Sequence, residues 1–520
     1  MAKKRSAQPP IRYRVSLADP KSHYIDVEMH VPAGHTSPLA LCLAAWTPGS
    51  YKVRDFSRHV HDVRATGERG RAMTVEKRDK QTWIIDAPDS LGVVCRYRVY
   101  CNELGVRTSH VDDRHAHLNG ASVFLYPEGA QHLPSEVTVD APRGWKVSMP
   151  LPSNAQGHFL ADDYDMLVDS PIEAGAFDEA HFKEKGVPHR VIVCGTGTTT
   201  AVDLVPDLQK IVRAGAEMFG ALPYKDYTFF IHLAPEYGGG LEHKASCSLI
   251  CARDSFSPRD RYLDFLFLAA HEHFHAWNVK RLRPLALGPF DYSKENYTRM
   301  LWVAEGFTSY YEKMLVRRAG LATGDEILSH FADKIRSHRD TPGRLVESLS
   351  CASFDAWIKY YQQHEATPNT NVSYYHKGQL VGLLLDLELR RRTRGKRSLD
   401  DVMRVLYERY SGEHGFPDGA IRDVSEEVGG GSLKSFFEEH VDGVAELDFE
   451  AAFAPFGVAV TPTIDDPPIA DLGVVLDRRH EKVGIATVLT GGPGAKAGLD
   501  ARDEIIAWDG VRLDKDKLER

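Results

Sequence analysis

The apolar and polar positions of this chain change character twice. From residue 11 to about 185 they alternate. Ile11-Arg12-Tyr13-Arg14-Val15, His23-Tyr24-Ile25-Asp26-Val27-Glu28-Met29 and Val93-Val94-Cys95-Arg96-Tyr97-Arg98-Val99-Tyr100 all repeat every second residue, the period that puts strand side chains on one face of a sheet. Breaks such as Pro32-Ala33-Gly34 and Asp86-Ala87-Pro88-Asp89-Ser90 punctuate these runs as turns. Strands and turns without intervening helical patterns predict an N-terminal β-sandwich over 11–185. From 186 to 455, strand-like Arg190-Val191-Ile192-Val193-Cys194 and Tyr227-Thr228-Phe229-Phe230-Ile231-His232-Leu233 give way to a mostly helical remainder. Thr461-Pro462-Thr463-Ile464-Asp465-Asp466-Pro467-Pro468 then reads as a linker to a last segment, 469–520.

The run Tyr262-Leu263-Asp264-Phe265-Leu266-Phe267-Leu268-Ala269-Ala270 predicts a buried helix, and it leads into His271-Glu272-His273-Phe274-His275. On a helix, His271 and His275 lie one turn apart and reach one metal, while Glu272 is offset to take a proton from a metal-bound water. His273 faces roughly the opposite side and is not a ligand. A catalytic zinc takes three protein ligands and keeps one position for water. Glu305 in Trp302-Val303-Ala304-Glu305-Gly306-Phe307 follows His275 by 30 positions, room for a loop and a second helix. The alternative for Glu305 is an ion pair with an Arg on a solvated face. Upstream, Tyr237-Gly238-Gly239-Gly240-Leu241-Glu242-His243 puts three glycines before a carboxylate. Glycines let a strand edge approach a substrate closely, and Glu242 can then hold a cationic α-amino group. His243 and Lys244 stay undecided. Asn278, Lys280, Arg281 and Arg283 read as helix-capping or pairing residues, and Thr308 and Ser309 as candidates to hydrogen-bond a ligating imidazole.

Composition narrows the rest. At 520 residues the chain is too long for one core. The net charge of −9 gives no reason to expect nucleic acid or acidic membrane as a partner. Arg390-Arg391-Arg392-Thr393-Arg394 ends a Leu-rich helix, where positive charge is favoured electrostatically. The seven cysteines form no disulfide framework, the basic start lacks the apolar core of a signal peptide, and no stretch is long enough to span a bilayer. These features predict a cytoplasmic enzyme.

The stretch His271 to Pro284, with Trp302-x-x-Glu305-Gly306-Phe307, resembles the glycyl aminopeptidase family of gluzincin zinc metallopeptidases. The resemblance implies one zinc on His271, His275 and Glu305, with Glu272 as catalytic base. It implies peptide substrates with small first residues such as Gly or Ala, and Glu242, beside Gly239 and Gly240, as the group that binds the amine. It also implies an oxyanion-stabilising Tyr two residues before a Lys-Gly pair, which maps to Tyr375 in Val372-Ser373-Tyr374-Tyr375-His376-Lys377-Gly378; Tyr374 stays open. The implied architecture is multidomain α and β: the sandwich, a thermolysin-like α+β zinc domain with a helical remainder, and a C-terminal PDZ. Gly491-Gly492-Pro493-Gly494 and Asp503-Glu504-Ile505-Ile506 look like the middle of a PDZ domain, a module that takes a peptide or protein ligand. The segment stops at Arg520, before the helix and strand that would complete it. Trp46-Thr47-Pro48-Gly49-Ser50-Tyr51 resembles the family's N-terminal signature and reads as a strand-connecting loop. Two rivals remain: an endopeptidase on the same scaffold, and a peptide-binding scaffold protein with a vestigial zinc site.

Overall fold

The computed structural model describes residues 9–67, 69–235, 238–412, 414–462, 471–477 and 483–513. Tyr237 of the glycine-rich motif, most of the 461–468 linker and parts of the 469–520 segment lie outside them. The chain divides into two compact units: residues up to Asn296 with Tyr311–Thr323, and Tyr297–Tyr310 with Gly324 onward.

The first unit begins with a β-rich part, and its strands are the alternating runs. Ile11–Ser16 alternates buried with outward positions and pairs antiparallel with Tyr24–Val31 and parallel with Ser135–Asp140. Tyr24–Val31 pairs along its length with Val93–Tyr100, from Tyr24 opposite Tyr100 to Val31 opposite Val93. These strands belong to a seven-stranded sheet, and two four-stranded sheets accompany it. One apolar core, including Tyr13, Leu41, Tyr97, Phe124 and Leu167, draws on all of them.

A five-stranded mixed sheet follows, in the order Asp178–Glu184, Val187–Cys194, Tyr227–Ala234, Ser246–Ala252, Gly239–Glu242. Its central strand, Tyr227–Ala234, is buried at every position, which is why it reads as a nearly continuous apolar run, interrupted by the buried polar residues Thr228 and His232. The short strand Gly239–Glu242 ends the order and pairs antiparallel with Ser246–Ala252. Helix Arg259–Phe274 packs on both of these strands. Its last six residues, Ala269 to Phe274, are all buried, polar ones included.

The second unit is mainly helical. A π-helical turn, Trp302–Phe307, carries Glu305 and leads into helix Thr308–Arg318; such turns concentrate at functional sites. Helix His376–Thr393 lies against this turn so closely that a β-carbon on Gly306 would stand 2.5 Å from the Gly378 Cα. In the C-terminal segment the described residues form two two-stranded sheets, Val474–Asp477 with Gly484–Val488 and Ala507–Trp508 with Val511–Arg512, and a short helix, Pro493–Ala497. Among the described residues no helix is long and apolar enough to cross a membrane.

Candidate active site

The buried end of helix Arg259–Phe274 brings His271 and His275 together, their ring centroids 4.8 Å apart and their planes at 80°. His275 is the helix C-cap. His271 Nδ1 lies 2.6 Å from Glu312 Oε2, and His275 Nδ1 lies 2.9 Å from the Asn278 carbonyl oxygen. Both acceptors lack a hydrogen, so each Nδ1 carries the proton and each Nε2 the lone pair. That is the tautomer a divalent transition metal needs, with the outer hydrogen bonds that orient metal-binding imidazoles. The residues therefore fit a metal. Burial alone would raise the Glu312 carboxyl; Lys313 and His271 outweigh it and hold it down to about 2.

His273 faces away, as its position requires. It is fully buried, its Nε2 is 2.6 Å from the Tyr224 hydroxyl, and burial pushes its pKa down to about 3. The turn after the helix is bent at Val279, whose φ of +95° is rare for a β-branched residue. This bend follows Asn278, whose carbonyl meets His275, and precedes Lys280, whose Nζ lies 2.7 Å from Asp169 Oδ1. Asp169 also accepts from the Lys244 backbone N–H at 2.7 Å and sits 3.3 Å from His243 Nδ1. Burial would lower the Lys280 pKa, but Asp169, Glu242 and Glu272 together raise it. Lys280 is thus a fixed positive charge beside two buried carboxylates.

Glu272 and Glu242 are those carboxylates. The Glu272 side chain fills the space that a β-carbon on Gly240 would need. Gly239 has φ +146°, where L side chains are rarely found, and nothing lies within 4 Å of its missing β-carbon. Gly240 therefore makes room for the Glu272 carboxylate, and Gly239 keeps the strand edge open. Arg107, from the β-rich part, donates to the Gly240 carbonyl at 3.1 Å. Glu242 is 3% exposed, and its Oε1 has no hydrogen-bond partner among the described residues. Glu242, Glu272 and His275 each bring a ligating atom within 4.8 Å of the others.

In the second unit, Glu305 is buried on the π-helical turn. Four tyrosines cluster in this unit: Tyr360 stacks on Tyr375 at 5.4 Å, Tyr374 and Tyr375 are 4.7 Å apart, and the Tyr361 and Tyr375 hydroxyls are 3.5 Å apart. Burial and then the Glu305 charge push the Tyr375 hydroxyl well above its ordinary pKa, so it stays a neutral donor. Tyr374 is fully buried, whereas Tyr375 is half-buried. Thr308 donates to the Ala304 carbonyl at 2.7 Å.

Sequence reasoning missed Glu312, Asp169, Arg107 and the place of Gly49, which packs against Glu242. Only Glu312 had a legible signal, its spacing of seven from Glu305 along a helical pattern.

The profile of the Peptidase M61 N-terminal domain matches residues 12–176, and that of M61 glycyl aminopeptidase matches residues 264–381. No curated protein sequence matches the chain. Among solved structures, it is similar to an aminopeptidase N family protein from Idiomarina loihiensis, at 30% identity and a TM-score of 0.93, over 98% of this chain and 91% of that one. It also shares its fold with an M1 zinc metallopeptidase variant from Deinococcus radiodurans, at 14% identity and a TM-score of 0.50, over 80% of this chain and 90% of that one. With both profiles falling on the β-rich part and the His271–Glu305 region, and a 30% identical relative running almost end to end, the chain belongs to the M61 glycyl aminopeptidase family and is a metallopeptidase.

Proposed function

We propose that this metallopeptidase is a zinc aminopeptidase that removes an N-terminal residue, preferably a small one such as Gly or Ala. His271, His275 and Glu305 hold one zinc. When bound, zinc supplies a Lewis acid that polarises the scissile carbonyl and acidifies water. Glu272 takes a proton from the attacking water and returns it to the leaving amine. Glu242 holds the substrate's α-ammonium, with the Gly239–Gly240 edge leaving room for the substrate backbone. The Tyr375 hydroxyl donates to the developing oxyanion. The preference for a small first residue rests on family membership. The unbridged cysteines suit a reducing compartment and a cytoplasmic location.

The observation that carries this reading is the Glu242 carboxylate, buried, with one oxygen unpartnered among the described residues and within reach of Glu272 and His275. Burying such an oxygen costs free energy that a bound ammonium recovers. An endopeptidase would have no use for it. The test is hydrolysis of amino-acid p-nitroanilides, free and N-acetylated, before and after chelation and zinc return. Cleavage confined to free amines and restored by zinc is expected; equal cleavage of acetylated substrates would overturn the amine-binding role.

A further inference from the structure

A second group of metal-type donors, sharing no residue with His271, Glu272 and His275, lies in the first unit. Strand His115–Leu118 carries His115 and His117, its neighbour Ile172–Gly175 carries Glu173, and the central strand Tyr227–Ala234 carries His232. Glu173 is completely buried. Its Oε2 lies 2.8 Å from His232 Nε2 and 3.0 Å from His117 Nδ1, and its Oε1 accepts from the Cys194 thiol at 3.1 Å. Every ion-pair partner of Glu173 among the described residues is an imidazole. A carboxylate at zero exposure with no permanent cation beside it is expensive unless something positive joins it.

The imidazoles keep coordinating capacity in reserve. His115 Nε2, His117 Nε2 and His232 Nδ1 are buried nitrogens with no hydrogen-bond partner among the described residues. His115, Glu173 and His232 each bring a ligating atom within 4.8 Å of the others. His115 also belongs to a second, half-buried group with His110 and Asp112 that meets the same 4.8 Å limit. The site is thus closed on the Glu173 side and opens toward solvent at His110 and His115, which gives an ion a way in.

We propose that His115, Glu173 and His232 form a second binding site for a zinc-class divalent cation, separate from His271 and His275. Two imidazoles and one carboxylate select a borderline transition ion over calcium or magnesium, which prefer all-oxygen shells. Outer hydrogen bonds are already in place: His117 and Cys194 donate to Glu173, and Asp112 stands 3.5 Å from His115 Nδ1. The role is structural. The ion would pin the sheet holding His115 and Glu173 to the five-stranded sheet holding His232. The chain just before His110 carries Arg107, which donates to the Gly240 carbonyl at the substrate edge.

The experiment is a metal count on the full chain after chelation, incubation with zinc and desalting. Wild type is expected to hold two zinc ions. His271→Ala/His275→Ala is expected to keep one, and His115→Ala/His232→Ala to keep the other. One ion in wild type and none in His271→Ala/His275→Ala overturns the proposal, and that pair of counts does not depend on the folding of the His115 variant. Two ions retained by a folded His115→Ala/His232→Ala also overturn it. One ion in wild type that survives His271→Ala/His275→Ala supports this site and removes zinc from the catalytic reading instead.

Discussion

Gly49 lies against the Glu242 carboxylate so closely that a β-carbon there would stand 2.6 Å from both carboxylate oxygens. The two residues come from different sheets, Gly49 from the turn after strand Leu39–Cys42 and Glu242 from the edge strand. Gly49 has φ +88°, so the turn needs glycine for its backbone as well as for the space. The Trp46–Tyr51 signature therefore backs the Glu242 carboxylate, the group proposed to hold the substrate amine. Trp46 is itself anchored by a 2.9 Å hydrogen bond to the Asp291 carbonyl.

Gly49→Ala should displace Glu242 without touching the histidines. The expected result is a fall of about 10- to 100-fold in kcat/KM, carried mainly by KM, which corresponds to roughly 1.4–2.8 kcal/mol of lost binding. Zinc content and the circular dichroism spectrum should be unchanged. A variant with wild-type KM would show that Glu242 does not contact the substrate.

Glu312→Gln keeps the shape of the His271 partner and removes its charge. The His271–Glu312 contact of 2.6 Å is a charge-assisted hydrogen bond that fixes the tautomer. Loss of such an outer partner typically costs about 10–100-fold in metal affinity. Competition with a chromogenic chelator should show weaker zinc retention in the variant. An unchanged affinity would reduce Glu312 to a packing role.

Acid should destabilise the fold through buried histidines that stay neutral. Burial holds His189 down to about 4, with Nδ1 3.0 Å from the Val187 carbonyl oxygen and Nε2 3.1 Å from the Tyr224 hydroxyl. The unfolded chain takes up a proton near pH 6.5 while the folded chain does not, so stability is intact above that pH and is lost as pH falls toward 4. At pH 5 this one group accounts for about 2 kcal/mol. His338, also held near 4 by burial, acts in the same direction. The melting temperature should therefore drop between pH 7.5 and 5, and drop less in His189→Gln. An equal drop in the variant would assign the acid sensitivity elsewhere.

What could be read from the chain was whatever repeats locally. Alternation in Ile11–Ser16 and Tyr24–Val31 marks strands because each buries one face. It does not say that Ile11–Ser16 pairs parallel with Ser135–Asp140, since register over that separation depends on packing. The spacing of His271, Glu272 and His275 was legible because one helical turn sets it. Asp169 was not, because it meets Lys280 only when the sheets assemble. The same holds for Gly49 beside Glu242 and for Glu173 beside His232: each pair joins strands or turns far apart in sequence, and no local period records them.

The proposed oxyanion donor is one of two adjacent residues, Tyr374 and Tyr375, and their surroundings separate them. Tyr374 is fully buried. Tyr375 is half-buried, stacks on Tyr360, and keeps its proton under the influence of burial and the Glu305 charge. A donor to substrate needs a protonated hydroxyl that a substrate can reach, which favours Tyr375. Tyr375→Phe should lower kcat about 100- to 1,000-fold with little change in KM, because the hydrogen bond forms only as charge develops. Tyr374→Phe should leave kcat within a few-fold and shift the melting temperature instead. If Tyr374→Phe loses the larger part of kcat while Tyr375→Phe remains active, the roles are reversed. If neither variant loses kcat, the oxyanion is held by groups other than these two tyrosines.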